Sequence, residues 1–166
     1  MSQPSSSNGR QERRDGSCNV RVFFTLKQKD GWPPVAVESM HGRIVHQGPP
    51  VLVEICNIPF YVRGISFGDV VKTRKGADSE LVFVGLSKPA NNSVIRAYVF
   101  DKGNVKVILN SLEKMGCEVE IADNPCLLAA NVPPHVDFDR IIKYLIDNSA
   151  ILDYDEASLR HGSTPT

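Results

Sequence analysis

The second half of the chain changes hydrophobic period in an order that predicts its topology. Strand-like alternation or continuous apolar runs occupy residues 93–100, 117–121, 126–132 and 151–154. Residues 104–115 and 137–149 repeat apolar side chains at i, i+3, i+4 and i+7, the spacing of a helix with one buried face. The resulting order, β-α-β-β-α-β, predicts an antiparallel sheet with both helices on one face, which is the ferredoxin-like arrangement.

The first half reads as short strands separated by glycine and proline. Candidate strands lie at residues 20–26, 35–45, 51–56, 69–74 and 80–86. The second of these is either one bent strand or two short ones about Gly42. Short antiparallel strands at this spacing favour a curled sheet or a partly open barrel. The predicted fold class is therefore α+β, with a β-rich N-terminal half followed by a ferredoxin-like half.

An apolar turn at residues 57–71 connects two strands of the β-rich half. Pro59 should end the strand before it because proline donates no hydrogen bond to a sheet. Gly64 and Gly68 supply bends. Phe60 and Tyr61 give the turn more apolar surface than a solvated loop carries. We expect an ordered turn that is the hinge of the β-rich half and a contact face.

These patterns predict four segments. Residues 1–19 are rich in serine, glycine and arginine and are expected to form a flexible tail, since they lack apolar side chains to bury. Residues 20–91 form the β-rich subdomain and residues 92–158 the ferredoxin-like subdomain. Residues 159–166 are expected to fray.

Charge is balanced overall but differs between the halves. The chain has 19 basic and 19 acidic side chains, so a general electrostatic affinity for nucleic acid is not expected. Residues 1–91 hold 12 basic and 8 acidic side chains, and residues 92–166 hold 7 and 11, for net charges of +4 and −4. An acidic second half favours a basic protein partner. No apolar run reaches the length of a transmembrane helix, and no export signal is evident, so the expected location is the cytoplasm.

Candidate catalytic chemistry is sparse in this sequence. Phosphate-binding, dinucleotide-binding and hydrolase motifs are absent, and the cysteines and histidines lack zinc-site spacing. In the cytoplasm the four cysteines are expected to be reduced thiols. Cys56 with His46 is the one pair worth testing as nucleophile and base. We predict no catalytic residues, no metal site and no cofactor.

The leading functional hypothesis is a non-enzymatic protein-binding module, including an immunity or antitoxin-type inhibitor of a toxic enzyme. The interface candidates are of two kinds. The first are aromatic residues and an arginine, which are common in interfaces: Trp32, Phe60, Tyr61 and Arg63. The second are acidic residues near the end of the chain: Asp153, Asp155 and Glu156. Trp32 could instead cap the open end of the β core, and the acids could be ordinary surface charges at the end of the last strand.

Two alternatives stay open. One is a small-ligand regulatory domain that uses a cleft between the halves. The other is a weak nucleic-acid binder with a basic strip formed by Arg63, Lys72, Arg74 and Lys75. Exposed aromatics on the central strands of a ferredoxin-like sheet would favour RNA. Tyr98 is the only such candidate that we identify on the first strand, and residues 126–131 contain none.

Several short motifs together resemble a bacterial family known as a domain of unknown function, number 4265. In chain order they are Gly31-Trp32-Pro33, Glu38, Asn57-Ile58-Pro59-Phe60, Gly68-Asp69-Val70-Val71, Ile95-Arg96, Leu112, Gly116-Cys117-Glu118 and Tyr154. The resemblance spans roughly residues 20–158. It carries no activity and implies no catalytic residues. Tyr61-Val62-Arg63 stands where the family has small residues before the glycine.

Overall fold

The computed structural model describes residues 18–124 and 126–162. Their contacts divide the chain into two compact units. The first unit contains residues 18–57 and 70–88, and the second contains Ile58–Asp69 and residues 89–162. This division differs from the predicted boundary at 91/92 because Ile58–Asp69 leaves the strands on either side of it and joins the second unit. The predicted tails at residues 1–17 and 163–166 lie outside the described residues.

The first unit is a β barrel. Its strands, within the described residues, are β1 (Val20–Thr25), β2 (Val37–His46), β3 (Val51–Ile55), β4 (Val70–Lys75) and β5 (Leu81–Lys88). Each strand pairs antiparallel with the next along the chain. The predicted hairpin between residues 69–74 and 80–86 is confirmed as β4 and β5.

The barrel is closed, which corrects the prediction of a curled sheet or partly open barrel. β1 and β5 pair in parallel, with Val22 opposite Leu81. The rings of Phe24 and Phe83 stack beside this seam with centroids 4.6 Å apart. The parallel pairing could not be inferred from local patterns, since each strand alone carries no information about a partner roughly sixty residues away.

Gly42 lies within one continuous strand. A Cβ atom at this position would lie 2.3 Å from Val53 Cγ1 and 3.1 Å from the Glu54 carbonyl oxygen. Glycine therefore permits close approach of β2 and β3. Of the two predicted alternatives for this segment, the single long strand is correct.

The second unit contains an antiparallel sheet covered on one face by two helices. Its strands, among the described residues, are β6 (Ser93–Val99), β7 (Glu118–Ile121), β8 (Leu127–Val132) and β9 (Leu152–Ser158), arranged in the order β7-β8-β6-β9. Helix α1 (Val105–Lys114) joins β6 to β7, and helix α2 (Phe138–Asp147) joins β8 to β9. The predicted β-α-β-β-α-β order is therefore confirmed, and the central strands are β6 and β8.

The main core of this unit lies between the helices and the sheet. Fully buried members include Ile95 on β6, Leu128 on β8, Ile108 and Leu112 on α1, and Ile141 and Leu145 on α2. Asp137 caps α2 as predicted, with its carboxylate accepting a hydrogen bond from the Arg140 amide at 3.2 Å. A short 3₁₀ turn, Lys102–Asn104, precedes α1, and Asp101 caps that turn through the Gly103 amide.

The C-terminal segment is more ordered than its sequence suggests. β9 extends to Ser158, whereas the pattern predicted a strand that ends at residue 154. Its acidic residues interrupt the apolar pattern because β9 is an edge strand with few apolar positions to bury. Residues 159–162, which were expected to fray, include Arg160 and His161, and both are hydrogen-bonded to the second unit.

Candidate functional site on the four-stranded sheet

The sheet face opposite the helices is partly covered by Ile58–Asp69, here named the covering segment. No strand or helix is assigned within it. Its first residue, Ile58, is fully buried in an apolar cluster whose other members come from three strands: Val94, Ala129 and Ala157. Phe60 packs against the same cluster. Ile58 and Phe60 of the predicted turn therefore pack against the second sheet.

Arg96 fixes the middle of the covering segment. Its side chain rises from the central strand β6 and is almost fully buried. The guanidinium donates to the carbonyl oxygens of Tyr61, at 3.1 Å, and Val62. The Gly64 amide donates to the Ala157 carbonyl at 2.9 Å. An irregular segment has no neighbouring strand to pair with its backbone N–H and C=O groups, so these hydrogen bonds satisfy them instead.

Asp69 fixes the end of the covering segment. Its carboxylate is fully buried and accepts hydrogen bonds from the amides of Ser66 and Ala90, both at 2.8 Å. The guanidinium of Arg160 donates to both carboxylate oxygens, at 3.1 and 3.0 Å, and also to the Gly64 carbonyl. A buried charge is tolerated when it is paired and hydrogen-bonded in this way. Sequence reasoning missed this network because Asp69 and Arg160 are 91 residues apart.

Two serines connect the same region to the C-terminal segment. The hydroxyls of Ser66 and Ser158 lie 2.8 Å apart and are buried. Ser93 Oγ lies 2.6 Å from His161 Nδ1, while His161 Nε2 lies 2.9 Å from the Pro133 carbonyl. Since a carbonyl oxygen only accepts, Nε2 donates to it; in the neutral imidazole, Nδ1 then accepts from the Ser93 hydroxyl.

The Ser93–His161 pair has the side chains of a nucleophile and a base, but its setting is structural. Ser93 is fully buried, and its Oγ also accepts a hydrogen bond from the Arg160 amide at 2.8 Å. The His161 ring stacks on Phe138 with centroids 5.0 Å apart. A nucleophile must be reachable by substrate, so these contacts anchor the C-terminal segment.

Part of the same sheet face is exposed and carries three of the predicted interface residues. Arg63 projects from the covering segment with 62% of its side chain exposed and binds Asp155 on β9 through two hydrogen bonds, one of them 2.9 Å long. Asp153, two residues earlier on β9, has the same facing and is exposed. The structure therefore brings Arg63 and Asp155 into contact and places Asp153 two residues away from Asp155 on the same face of β9.

The remaining second-unit candidates differ in position. Glu156 lies opposite Ile95, a residue of the helix-side core, so strand alternation directs its side chain away from Asp153 and Asp155. Phe60 and Tyr61 are half-buried. Phe60 contributes mainly to the apolar cluster described above.

Trp32 belongs to the first unit. It lies in the turn between β1 and β2, where Lys29 and Trp32 form an isolated bridge with backbone hydrogen bonds of 2.8 and 3.0 Å. Half of its surface, 51%, is exposed.

The predicted basic strip is divided between the units. Lys72, Arg74 and Lys75 are exposed on β4 in the first unit. Arg63 belongs to the second unit, and its guanidinium is bound to Asp155. A strip that includes all four residues therefore remains a prediction.

The cysteines depart from the expectation of four free thiols. Cys18 and Cys56 form a disulfide that joins the residues preceding β1 to the end of β3. Cys56 therefore cannot act as a thiolate with His46, which removes that candidate catalytic pair. Cys117 and Cys126 are free, and burial raises the pKa of the Cys117 thiol to about 11.

The described part of the chain contains neither a metal-binding group of side chains nor a membrane-spanning helix. Among residues 18–124 and 126–162, no three His, Cys, Asp or Glu side chains form a group that could hold a metal ion. Across those residues, no helix is both long and apolar enough to cross a membrane.

Comparisons with known proteins place the chain in a family. A model described as a domain of unknown function (DUF4265) matches residues 50–153. A search of curated proteins finds no match. A crystal structure of a hypothetical protein from Neisseria gonorrhoeae has a TM-score of 0.72 and 23% identity, covering 86% of this chain and 96% of that one, which shows a shared fold alone. Because the family model matches more than half of the sequence, the protein belongs to the DUF4265 family.

Proposed function

We propose that this protein is a non-enzymatic protein-binding module, and that it acts as an immunity or antitoxin-type inhibitor of a toxic enzyme. The observation that carries the proposal is the covering segment. It is irregular in backbone conformation yet fixed by buried hydrogen bonds to Arg96 and Asp69, and it presents Arg63 to solvent. Binding residues are commonly placed on loops that a rigid scaffold positions.

Fixing the segment before binding favours tight association. A mobile loop loses conformational freedom when a partner orders it, at about 0.5–1.5 kcal/mol for each immobilised side chain. The Arg63 guanidinium is already oriented by its two hydrogen bonds to Asp155. Arginine and tryptophan are enriched among the residues that dominate interface energies. Arg63 and Trp32 are therefore the proposed anchors, each on its own unit.

The charge of the second half supports a basic partner. Residues 92–166 carry 7 basic and 11 acidic side chains. Asp153 adds negative charge to the exposed part of the sheet face, beside the Arg63–Asp155 ion pair. Complementary charge raises the rate of encounter with a partner and disfavours partners of like charge.

We also propose that the second unit is a ferredoxin-like domain. The element order β-α-β-β-α-β and the strand order β7-β8-β6-β9 support this assignment. Folds of this type have many functions, so the assignment itself supplies no activity.

Replacement of either anchor should weaken capture of a partner from lysate of the native cells. We expect wild-type protein to retain one stoichiometric protein, and Trp32→Ala and Arg63→Ala each to reduce its affinity by at least about tenfold, as anchors near 1.4 kcal/mol or more would. Mass spectrometry would identify the retained protein, and titration calorimetry would measure the affinities.

Arg43→Ala is the matched control. Arg43 is also an exposed arginine in an ion pair, with Glu54 at 3.0 Å on the barrel, so its loss reports on charge and folding alone. If the Arg63 and Trp32 variants bind as tightly as Arg43→Ala, the anchors are wrongly placed. If wild-type protein retains only nucleic acid or nothing, the inhibitor proposal fails.

A cytoplasmic location remains a prediction, and the Cys18–Cys56 disulfide opposes it. Cytoplasmic thiols are generally kept reduced, whereas disulfides persist in oxidising compartments. Alkylation of freshly lysed cells in denaturant, followed by mass spectrometry, would separate the two cases. Cytoplasmic protein should carry label on Cys18 and Cys56. Protein from an oxidising compartment should carry it only on Cys117 and Cys126.

A further inference from the structure

Two exposed aromatic rings at the end of the central strand β6 lie beside an acidic residue of the edge strand β9. Tyr98 on β6 is 44% exposed, and Phe100, the residue that follows β6, is 57% exposed. The Phe100 amide still hydrogen-bonds to the Ile151 carbonyl at 2.9 Å, so the strand alternation continues and places both rings on one face. The sequence predicted only Tyr98 as an exposed aromatic residue of this strand, because Phe100 is the last residue of the predicted strand and its facing was not assigned.

The acid in question is Asp153. It lies directly opposite Tyr98 in the β6–β9 register, and Asp155 lies opposite Arg96. Side chains opposite each other in an antiparallel pair have Cβ atoms about 4.5–5.5 Å apart. The exposed Asp153 side chain is therefore a neighbour of Tyr98 on the same face, and its Oδ1 accepts a hydrogen bond from the Tyr154 amide at 2.9 Å.

Asp155, the next acidic residue on this face of β9, already binds a cationic side chain. Asp155 holds the Arg63 guanidinium in a two-bond arrangement, which is the preferred geometry for arginine and a carboxylate. Asp153 is displaced from Asp155 by two residues along the same strand, and it has Tyr98 beside it. A cation at this position would gain both a carboxylate and an aromatic face, which attract it electrostatically.

We propose that Tyr98, Phe100 and Asp153 form a subsite for an arginine or lysine side chain of a basic protein partner. This inference rests on the proposed function and specifies the chemistry of the partner. Charge complementarity selects the occupant, since Asp153 gives the subsite a carboxylate and residues 92–166 carry a net charge of −4 from 7 basic and 11 acidic side chains. The acids disfavour a phosphate backbone, which separates the site from aromatic platforms that stack RNA bases.

The test is a titration of ¹⁵N-labelled full-length protein with three synthetic probes, followed by NMR. The probes are an alternating Arg–Gly peptide, an alternating Glu–Gly peptide and a single-stranded oligouridine. We expect the Arg–Gly peptide alone to shift the amide signals of residues 98–100 and 153, with an affinity that falls as salt rises. Binding of oligouridine at these residues in place of the cationic peptide would overturn the proposal.

Matched variants test the two parts of the subsite. Asp153→Asn and Tyr98→Leu should each weaken Arg–Gly binding by about twofold to fivefold, the range for one exposed ion pair or cation–π contact. Tyr98→Phe keeps the ring and should bind as the wild type does. Glu113→Gln removes another exposed acidic charge, from α1 on the other side of the sheet, and should have little effect.

The same variants distinguish failure of the subsite from failure of the proposed function. If Asp153→Asn and Tyr98→Leu bind the Arg–Gly peptide as the wild type does, the subsite is wrong. If these variants still capture the cellular partner at full affinity while Arg63→Ala does not, the protein-binding function stands and only the subsite is refuted.

Discussion

Replacement of Asp69 by alanine should lower the free energy of unfolding by about 3–5 kcal/mol, the range for breaking a buried ion pair by removing one partner. Arg160, whose side chain is only 15% exposed, would lose the carboxylate with which it forms an ion pair. The amides of Ser66 and Ala90 would lose their acceptor as well. Urea denaturation followed by circular dichroism would measure the change.

The exposed pair in the same unit supplies the control. Asp155→Ala removes the carboxylate bound to Arg63, but both side chains of that pair are substantially exposed, at 62% and 45%. Exposed ion pairs contribute about 0–1 kcal/mol because water and salt screen them. If Asp69→Ala destabilises the protein no more than Asp155→Ala does, the buried network does not hold the covering segment in place.

Loss of the Cys18–Cys56 disulfide should lower the free energy of unfolding of the barrel by about 2–4 kcal/mol. The bond joins residues separated by 38 positions, and closing a loop of that length removes conformational entropy from the unfolded chain. Denaturation of the Cys18→Ser/Cys56→Ser variant, compared with the oxidised wild type, would measure the effect.

Reduction of the wild type provides an independent check on the same bond. Dithiothreitol should destabilise the wild type to the level of the double variant and leave the variant unchanged. Cys117→Ser removes a thiol that forms no disulfide, so this variant keeps the Cys18–Cys56 bond and should respond to reduction as the wild type does. Equal stability of oxidised wild type and double variant would contradict the predicted contribution of the cross-link.

Local sequence pattern predicted most of the helices and strands. The apolar stripe containing Ile108 and Leu112 predicted α1, and the cap at Asp137 predicted where α2 begins, because both signals depend on residues within a few turns of each other. The strand at β8 is buried at every position, as its continuous apolar run indicated. The end of β9 was missed, since an edge strand with acidic residues resembles a loop in sequence.

The candidate site could be predicted only in part. Arg63, Asp153 and Asp155 were identified by residue type, but their proximity depends on a covering segment that packs on the second sheet. Phe100 was overlooked, because its exposure follows from the position of β6 in the sheet and not from its neighbours in sequence.

By itself, the sequence determined the order of strands and helices, the amphipathic faces and the family. Only the tertiary structure decided how the barrel closes, where the covering segment packs and which charges are buried. Asp69 and Arg160 each resemble a surface residue locally, and Cys18 and Cys56 each resemble a free thiol. The physical reason is that periodicity records which residues turn away from water, whereas these pairings depend on partners 38 to 91 positions away.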